Sequence, residues 1–240
     1  MSDHGIKALT FDTGGTILDW HSGFRDAFAR LGKKHGIDKD WSSLANEYRR
    51  RTLQTMLNHG EKEAASKNFD DVHLDVLRAL ATEFGLDAFS EEDLRTVSWD
   101  ALHNLICWPD FPAVLPKLRD KYVCVSFTLL SVRNIIDSAR ANGLSWDAVI
   151  SCEVIGKYKL LPEAYLTCAK FLQLAPSECC MVACHNFDLD AAKACGFKSA
   201  FVHRPDEWGH ESPPSPEPNP HHDYVAKDFP DLARQLGIVG

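Results

Sequence analysis

The sequence has no apolar run long enough to span a bilayer, no CxxC pair, no internal repeat and no excess of basic residues. Each absence removes a class of function. Without an apolar stretch of about 20 residues no membrane-spanning helix is expected. The opening Met1-Ser-Asp-His-Gly has neither the basic nor the apolar part of a signal peptide, so a cytoplasmic location with no membrane partner is expected. Lys and Arg number 26 against 34 Asp and Glu, a net charge of -8, which argues against nucleic acid as a partner. The one basic cluster, Arg49-Arg50-Arg51, is too short for a binding stripe but could hold one small anion. The cysteines Cys107, Cys124, Cys152, Cys168, Cys179, Cys180, Cys184 and Cys195 lack metal-like spacing with histidine, and several sit in apolar strand-like runs. Reduced core thiols are expected.

What is present is 240 residues, 45% hydrophobic and 25% charged, enough for one substantial core and a smaller domain. The stretch Ile6–Leu18 carries a short apolar run straight into Asp12 and the turn Gly14-Gly15. A buried strand ending at Phe11 puts Asp12 where open α/β sheets bind ligands, although an acid before a glycine pair also serves as a cap. Next come four helical patterns: Gly23–His35 stopped by Gly36, one from Trp41, Phe69–Phe84, and Glu91–Leu105 opened by Ser90 with Asp93 as capping pair. Arg49 lies four residues from both Ala45 and Leu53, on the apolar face of the second helix. It must therefore snorkel outward, form an internal ion pair, or meet an anionic ligand.

After Trp108-Pro109-Asp110 the pattern alternates strand and helix: Tyr122–Thr128, Val132–Asn142, Ala148–Ile150, Pro162–Gln173, Cys180–Ala183, Leu189–Cys195 and Ser199–His203. That alternation means a parallel sheet covered on both faces, with the helical run inserted after the first strand. Pro205–His222, rich in Pro, Glu and His, reads as a surface loop before a last strand at Tyr224–Ala226 and a helix Leu232–Leu236. Four polar residues fall just past strand ends: Asp12, Thr128, Lys159 and Asp188. Each has a dull explanation as a cap or a solvated loop residue, but together they describe one site.

These residues resemble the motifs of the haloacid dehalogenase superfamily: Asp12-Thr-Gly-Gly-Thr16 the first, Thr128 the second, Lys159 the third and Asp188 the fourth. The resemblance covers essentially the whole chain. It implies an α/β fold, a Rossmann-like parallel sheet core (1–19 and 110–240) with an inserted helical cap domain (20–109). Phosphatases of the superfamily carry a second Asp two residues after the nucleophile and a Mg²⁺-binding acid four residues before the fourth-motif acid. Here those positions are Gly14 and Cys184, and a thiol is a poor ligand for Mg²⁺.

The closer resemblance is to the L-2-haloacid dehalogenases, which need no metal or cofactor. It implies hydrolysis of short L-2-haloalkanoic acids to 2-hydroxy acids through an ester on Asp12, a small-molecule haloacid as partner, and pairing as a homodimer. Tyr48-Arg49 matches the cap arginine that receives halide, and Lys159 and Tyr165 match the third motif without its proline. The resemblance casts Lys159 as the cation that keeps Asp12 ionised, an attraction of about 4 kcal/mol at ~4 Å and an effective dielectric of ~20. It assigns the hydrolytic water to Asp188 with His185 or Asn186, and the substrate carboxylate to Gly14, Thr128 and Ser131, with Thr16 supporting. The Asn-Gly that comes after the second motif in those enzymes is Leu129-Leu130 here. Alternatives are a metal-dependent phosphatase or phosphonatase, or a relative that binds small anions without turning them over.

Overall fold

The structure, a computed structural model, describes residues 5–62 and 68–238; residues 1–4 and 239–240 of the expected core, and 63–67 of the expected cap, lie outside the described residues. Six parallel strands form the sheet, in the order β3-β2-β1-β4-β5-β6. They are β1 (Ala8–Phe11), β2 (Val123–Thr128), β3 (Ala148–Ser151), β4 (Cys179–Ala183), β5 (Lys198–Val202) and β6 (Tyr224–Ala226). β1 is central and buried throughout, which is why it reads as a continuous apolar run and not as an alternation. Phe11 stands opposite Ser126 on one neighbour and Val182 on the other. The chain moves outward from β1 to β3, then returns to β4 on the opposite side of β1. The crevice therefore opens past the ends of β1 and β4, the reversal point at which such sheets bind ligands.

Between β1 and β2 stands the helical insert: α1 (Trp20–His35), α2 (Trp41–Lys62), α3 (Phe69–Glu83) and α4 (Glu91–Arg95). α1 begins three residues before the apolar pattern suggests because the Asp19 side chain caps it, accepting from Ser22 N at 3.0 Å; Gly36, at φ 67°, ends it as expected. The Ser90–Asp93 capping box is present. The helix expected over Glu91–Leu105 is interrupted, because α4 runs into a wider π turn at Thr96–Ala101. From within that turn the Trp99 ring stacks on His103 at 4.0 Å, and His103 Nδ1 meets Asp137 Oδ2 at 2.9 Å. The two segments joining insert to sheet run side by side, with Asp19 N donating to Ile106 O and Trp108 N to Ile17 O.

The remaining helices are α5 (Leu115–Arg119), α6 (Val132–Asn142), α7 (Cys152–Ile155), α8 (Pro162–Phe171), α9 (Asn186–Ala194) and α10 (Phe229–Gln235). β1 is anchored by an aromatic cluster in which Phe11 meets Phe111 at 5.7 Å and Trp146 at 5.6 Å, and Phe111 meets Phe229 at 4.5 Å. All eight cysteines are free thiols and seven are buried, as their apolar settings imply. Among the described residues no helix is long and apolar enough to cross a membrane.

Candidate active site

β1 delivers Asp12 into the crevice, and its carboxylate is held from three sides. Lys159 Nζ donates to Oδ1 at 2.8 Å, Thr16 Oγ1 donates to Oδ2 at 2.7 Å, and His185 Nδ1 lies 3.3 Å from Oδ2. Lys159 comes from the turn after α7, which Gly156 opens at φ 74°, and it is buried. Its second carboxylate is Asp188, at 2.7 Å, whose other oxygen accepts from the Tyr165 hydroxyl at 2.6 Å. Tyr165 thus braces Asp188, and Asp188 aims Lys159. Asp188 sits inside the first turn of α9, since that helix starts at Asn186 and not at Leu189.

Arg49 enters from α2 and is 6% exposed, which excludes snorkelling. Among the described residues it forms no ion pair; its Nη2 donates to Gly14 O at 3.1 Å and its Nε has no hydrogen-bond partner. Its guanidinium lies 5.5 Å from the centre of the Trp20 ring. Of the three fates open to this side chain, the first two are removed. A buried arginine with an unpaired donor has the chemistry to receive an anion.

Behind Asp12, His185 pairs with a residue that the sequence did not single out, Glu207. Glu207 is buried and accepts from Trp20 Nε1 at 2.9 Å, and its Oε1 is 3.0 Å from His185 Nε2. The histidine thus bridges Glu207 and Asp12, with Phe187 stacked on its ring at 5.2 Å. Glu207 belongs to Pro205–His222, whose Pro, Glu and His content marks a surface loop; here the loop turns inward to bury Glu207 and Trp208. Trp208, the only large apolar side chain between Val202 and Tyr224, was the available signal. Gly15, at φ 93°, is required here, because a Cβ would collide with the Glu207 carboxylate.

Other expected residues serve differently. Thr128 lines the pocket, but its hydroxyl is engaged with Thr13 at 2.7 Å and with Leu130 N at 3.1 Å, so it shapes the Leu129-Leu130 turn. Ser131 was expected to hold substrate; instead its buried hydroxyl caps α6, accepting from Asn134 N at 3.0 Å. Asn186 was expected beside the water. Its amide instead donates to Glu217 O at 2.7 Å and accepts from Asn219 N at 3.0 Å, tying down the loop that carries Glu207. With Ser215 O at 3.4 Å from the same nitrogen and His222 Nε2 at 2.8 Å from the same oxygen, its donors and acceptors are used up.

Burial raises the Asp12 carboxyl, but Lys159 and His185 outweigh it and hold the acid well below the usual carboxylate range. Asp188 goes the other way, raised by burial and by the charge on Asp12. For His185, burial works against the charged ring, and the neighbouring Cys184, Glu207 and Asp12 more than offset it, so its value is raised well above the usual imidazole range. Asp12 and Glu207, both lowered, add stability that is complete above their unfolded values of 3.8 and 4.5 and is lost as pH falls through the folded ones. His185, raised, adds stability that is complete below 6.5 and is lost as pH climbs through its folded value. Stability measured by urea unfolding is therefore expected to fall away on both sides of pH 4.5 to 6.5. His185→Asn is expected to flatten the alkaline side; an unchanged alkaline slope would contradict the assignment.

The pocket is lined by Asp12, Gly14, Arg49, Lys159, His185 and Asp188 on its polar side and by Leu53, Phe69, Leu129, Leu130 and Phe187 on its apolar side. Its free volume is about 20 Å³, room for about one water. Residues 6–196 match the family of haloacid dehalogenase-like hydrolases. The chain belongs to that family. The family match stops short of Glu207, so the loop that completes the site lies beyond it. A solved structure, L-2-haloacid dehalogenase PA0810, superposes with a TM-score of 0.90 at 33% identity, over 98% of this chain and 100% of that one. The defluorinating L-2-haloacid dehalogenase Rha0230 gives 0.90 at 31% identity, over 97% of this chain and 95% of that one. In sequence, (S)-2-haloacid dehalogenase 1 of Pseudomonas sp. (strain CBS-3) is 27% identical over 209 residues, covering 83% of this chain and 85% of its own.

Proposed function

We propose that this chain is a hydrolase of carbon–halogen bonds that converts short L-2-haloalkanoic acids to 2-hydroxy acids of inverted configuration through an ester on Asp12. The observation that carries this reading is the buried Arg49 guanidinium, which forms no ion pair among the described residues and faces the same closed pocket as the Asp12 carboxylate. One is a receptor for an anion, the other a nucleophile, and a haloacid supplies both the leaving halide and the carbon to be attacked. Its relatives' names point the same way.

In the first step an Asp12 oxygen attacks Cα as the carbon–halogen bond breaks, and halide leaves toward Arg49, whose charge cannot be lost as a proton. Lys159 keeps Asp12 ionised, while the apolar wall strips water from the nucleophile. Esterification removes the Asp12 charge, one of the influences that keep His185 protonated. The Nδ1 proton departs with halide as the acid the net reaction releases. The ring then keeps its Nε2–H on Glu207 and turns a free Nδ1 toward the ester. There it can take a proton from the water that attacks the Asp12 acyl carbon and return it to the departing hydroxy acid, and the water's second proton, left on the Asp12 acid, passes back to Nδ1 to restore the starting pair. Asp188, with both oxygens engaged, serves as the brace of Lys159. With so little room in the pocket, substrate must enter by movement of the insert away from the sheet; we place the pivot at the paired segments 17–19 and 106–108, which gives the domain division 1–19 and 110–240 against 20–109.

The metal-dependent phosphatase alternative fits less well. The ammonium of Lys159, the imidazolium of His185 and the hydroxyl of Thr16 already surround the Asp12 carboxylate, and Cys184 stands in place of a hard ligand. A test comes from dividing the labour between the two steps. With L-2-chloropropionate, Glu207→Gln is expected to release about one halide per protein rapidly, then turn over about 10²–10³-fold more slowly, with the added mass of the ester on the Asp12 peptide. Slow halide release with no burst and no ester would remove His185 and Glu207 from the second step.

A further inference from the structure

Cys184 exchanges no proton and touches no reacting atom in this mechanism, yet it closes a cluster of three ligand types. Its Sγ lies 3.4 Å from His185 Nε2 and 3.7 Å from Glu207 Oε2, and His185 Nε2 is 3.0 Å from Glu207 Oε1. All three ligand atoms fall within 4.8 Å of one another. Around a tetrahedral zinc ion, with bonds of about 2.3 Å to sulfur and about 2.0–2.1 Å to nitrogen and oxygen, such ligand pairs are about 3.3–3.6 Å apart. Cys184 Sγ and His185 Nε2 already have that spacing, while Glu207 faces the sulfur with Oε2 and the nitrogen with Oε1 and closes the set by turning one of them to the ion.

There is also a way in. Cys184 and Glu207 form part of the wall of a second cavity of about 320 Å³, whose lining includes His203, His210 and Glu217, while His185 lines the catalytic pocket. The arginine in that wall, Arg204, is turned onto Asp110, with both terminal nitrogens 3.0 Å from its carboxylate oxygens. A dication can therefore reach the Cys184 and Glu207 side of the cluster without passing the catalytic pocket.

We propose that Cys184, His185 and Glu207 form an inhibitory binding site for Zn²⁺ or a similar borderline-soft dication, filled from this second cavity. Binding displaces the thiol proton and the Nε2 proton of His185, leaving a neutral ring whose Nδ1–H points at Asp12. A metal-bound histidine typically donates its other ring N–H to a carboxylate, and Asp12 is already in that position. The ring is then fixed in the tautomer that cannot accept a proton from water, so hydrolysis of the ester stops. Metal binding stands by itself, whereas its inhibitory consequence rests on the proposed reaction.

Cobalt titration of the intact protein is expected to give a thiolate-to-cobalt charge-transfer band that saturates at about one equivalent and is displaced by zinc. Cys184→Ser is expected to lack the band and to bind zinc at least about 100-fold more weakly, because a direct ligand matters more than the neighbours whose loss costs that much. Cys184→Ala, checked for folding by circular dichroism, is expected to behave alike. Zinc is expected to abolish halide release beyond the first turnover in the parent protein, with recovery in EDTA, and to spare both variants. A titration without a thiolate band overturns the site whether or not the protein is a dehalogenase. So does zinc binding that survives Cys184→Ser and disappears in His221→Ala, since the ion would then sit on the surface cluster Asp190, His221 and His222. A thiolate band with full halide release in zinc would overturn only the inhibition.

Discussion

Asp12→Asn is expected to lower kcat by about 10⁵-fold or more, the scale seen when a covalent nucleophile is removed. The fold should survive. Asparagine keeps the shape of the side chain, and its amide oxygen can still accept from Lys159, which retains Asp188 as its counter-charge. On the other side an amide nitrogen would meet the Thr16 hydroxyl and His185 Nδ1, a mismatch of donors that costs about 1–2 kcal/mol. Halide release and urea unfolding on the same preparation separate the two effects. Loss of activity with near-parent stability supports a chemical role, and retained turnover would remove Asp12 from the reaction.

Lys159→Met is expected to do the reverse, damaging stability as well as rate. Methionine fills much of the same space, but it leaves the Asp12 and Asp188 carboxylates buried with no cation between them. Removing one partner from a buried ion network costs about 3–5 kcal/mol. Of two neighbouring carboxylates, one must then take up a proton. Asp188 is already raised, and without the ammonium Asp12 rises too. The acid limb of the pH–rate profile should therefore move to higher pH, and kcat should fall by about 10²–10³-fold at neutral pH, the usual scale for losing one electrostatic contact. An acid limb that stays in place would show that Lys159 does not set the charge on Asp12.

The sequence carried more of the sheet than of the site. A strand buried on both faces leaves an apolar run, a helix end leaves a glycine, and a parallel sheet gathers the residues just past its strands at one edge. Asp12, Lys159 and Asp188 could therefore be brought together from their order alone, and the structure joins them within 2.8 Å. Arg49 was legible only as far as its helical face. Choosing among its three fates required knowing which carboxylates come near, which depends on contacts between distant segments. Ser131 and Asn186 were placed in the right neighbourhood, but their hydrogen-bond capacity is used by the backbone of α6 and by the loop ending at His222. Glu207 shows the opposite failure. Composition marked its loop as exposed, while its burial depends on Trp20, 187 positions away. The π turn at Thr96–Ala101 likewise left no trace in a pattern that continues as a helix across it.

The most direct test of covalent chemistry at Asp12 is mass spectrometry of its peptide after many turnovers of L-2-chloropropionate in ¹⁸O-water. If water cleaves the ester at the acyl carbon, the solvent oxygen stays in the side chain and the Asp12 peptide gains mass as turnovers accumulate. Labelled 2-hydroxy acid beside an unlabelled Asp12 in a single-turnover experiment, and an Asp12 peptide still unlabelled after many turnovers, would show that water attacks the substrate directly and would contradict the account.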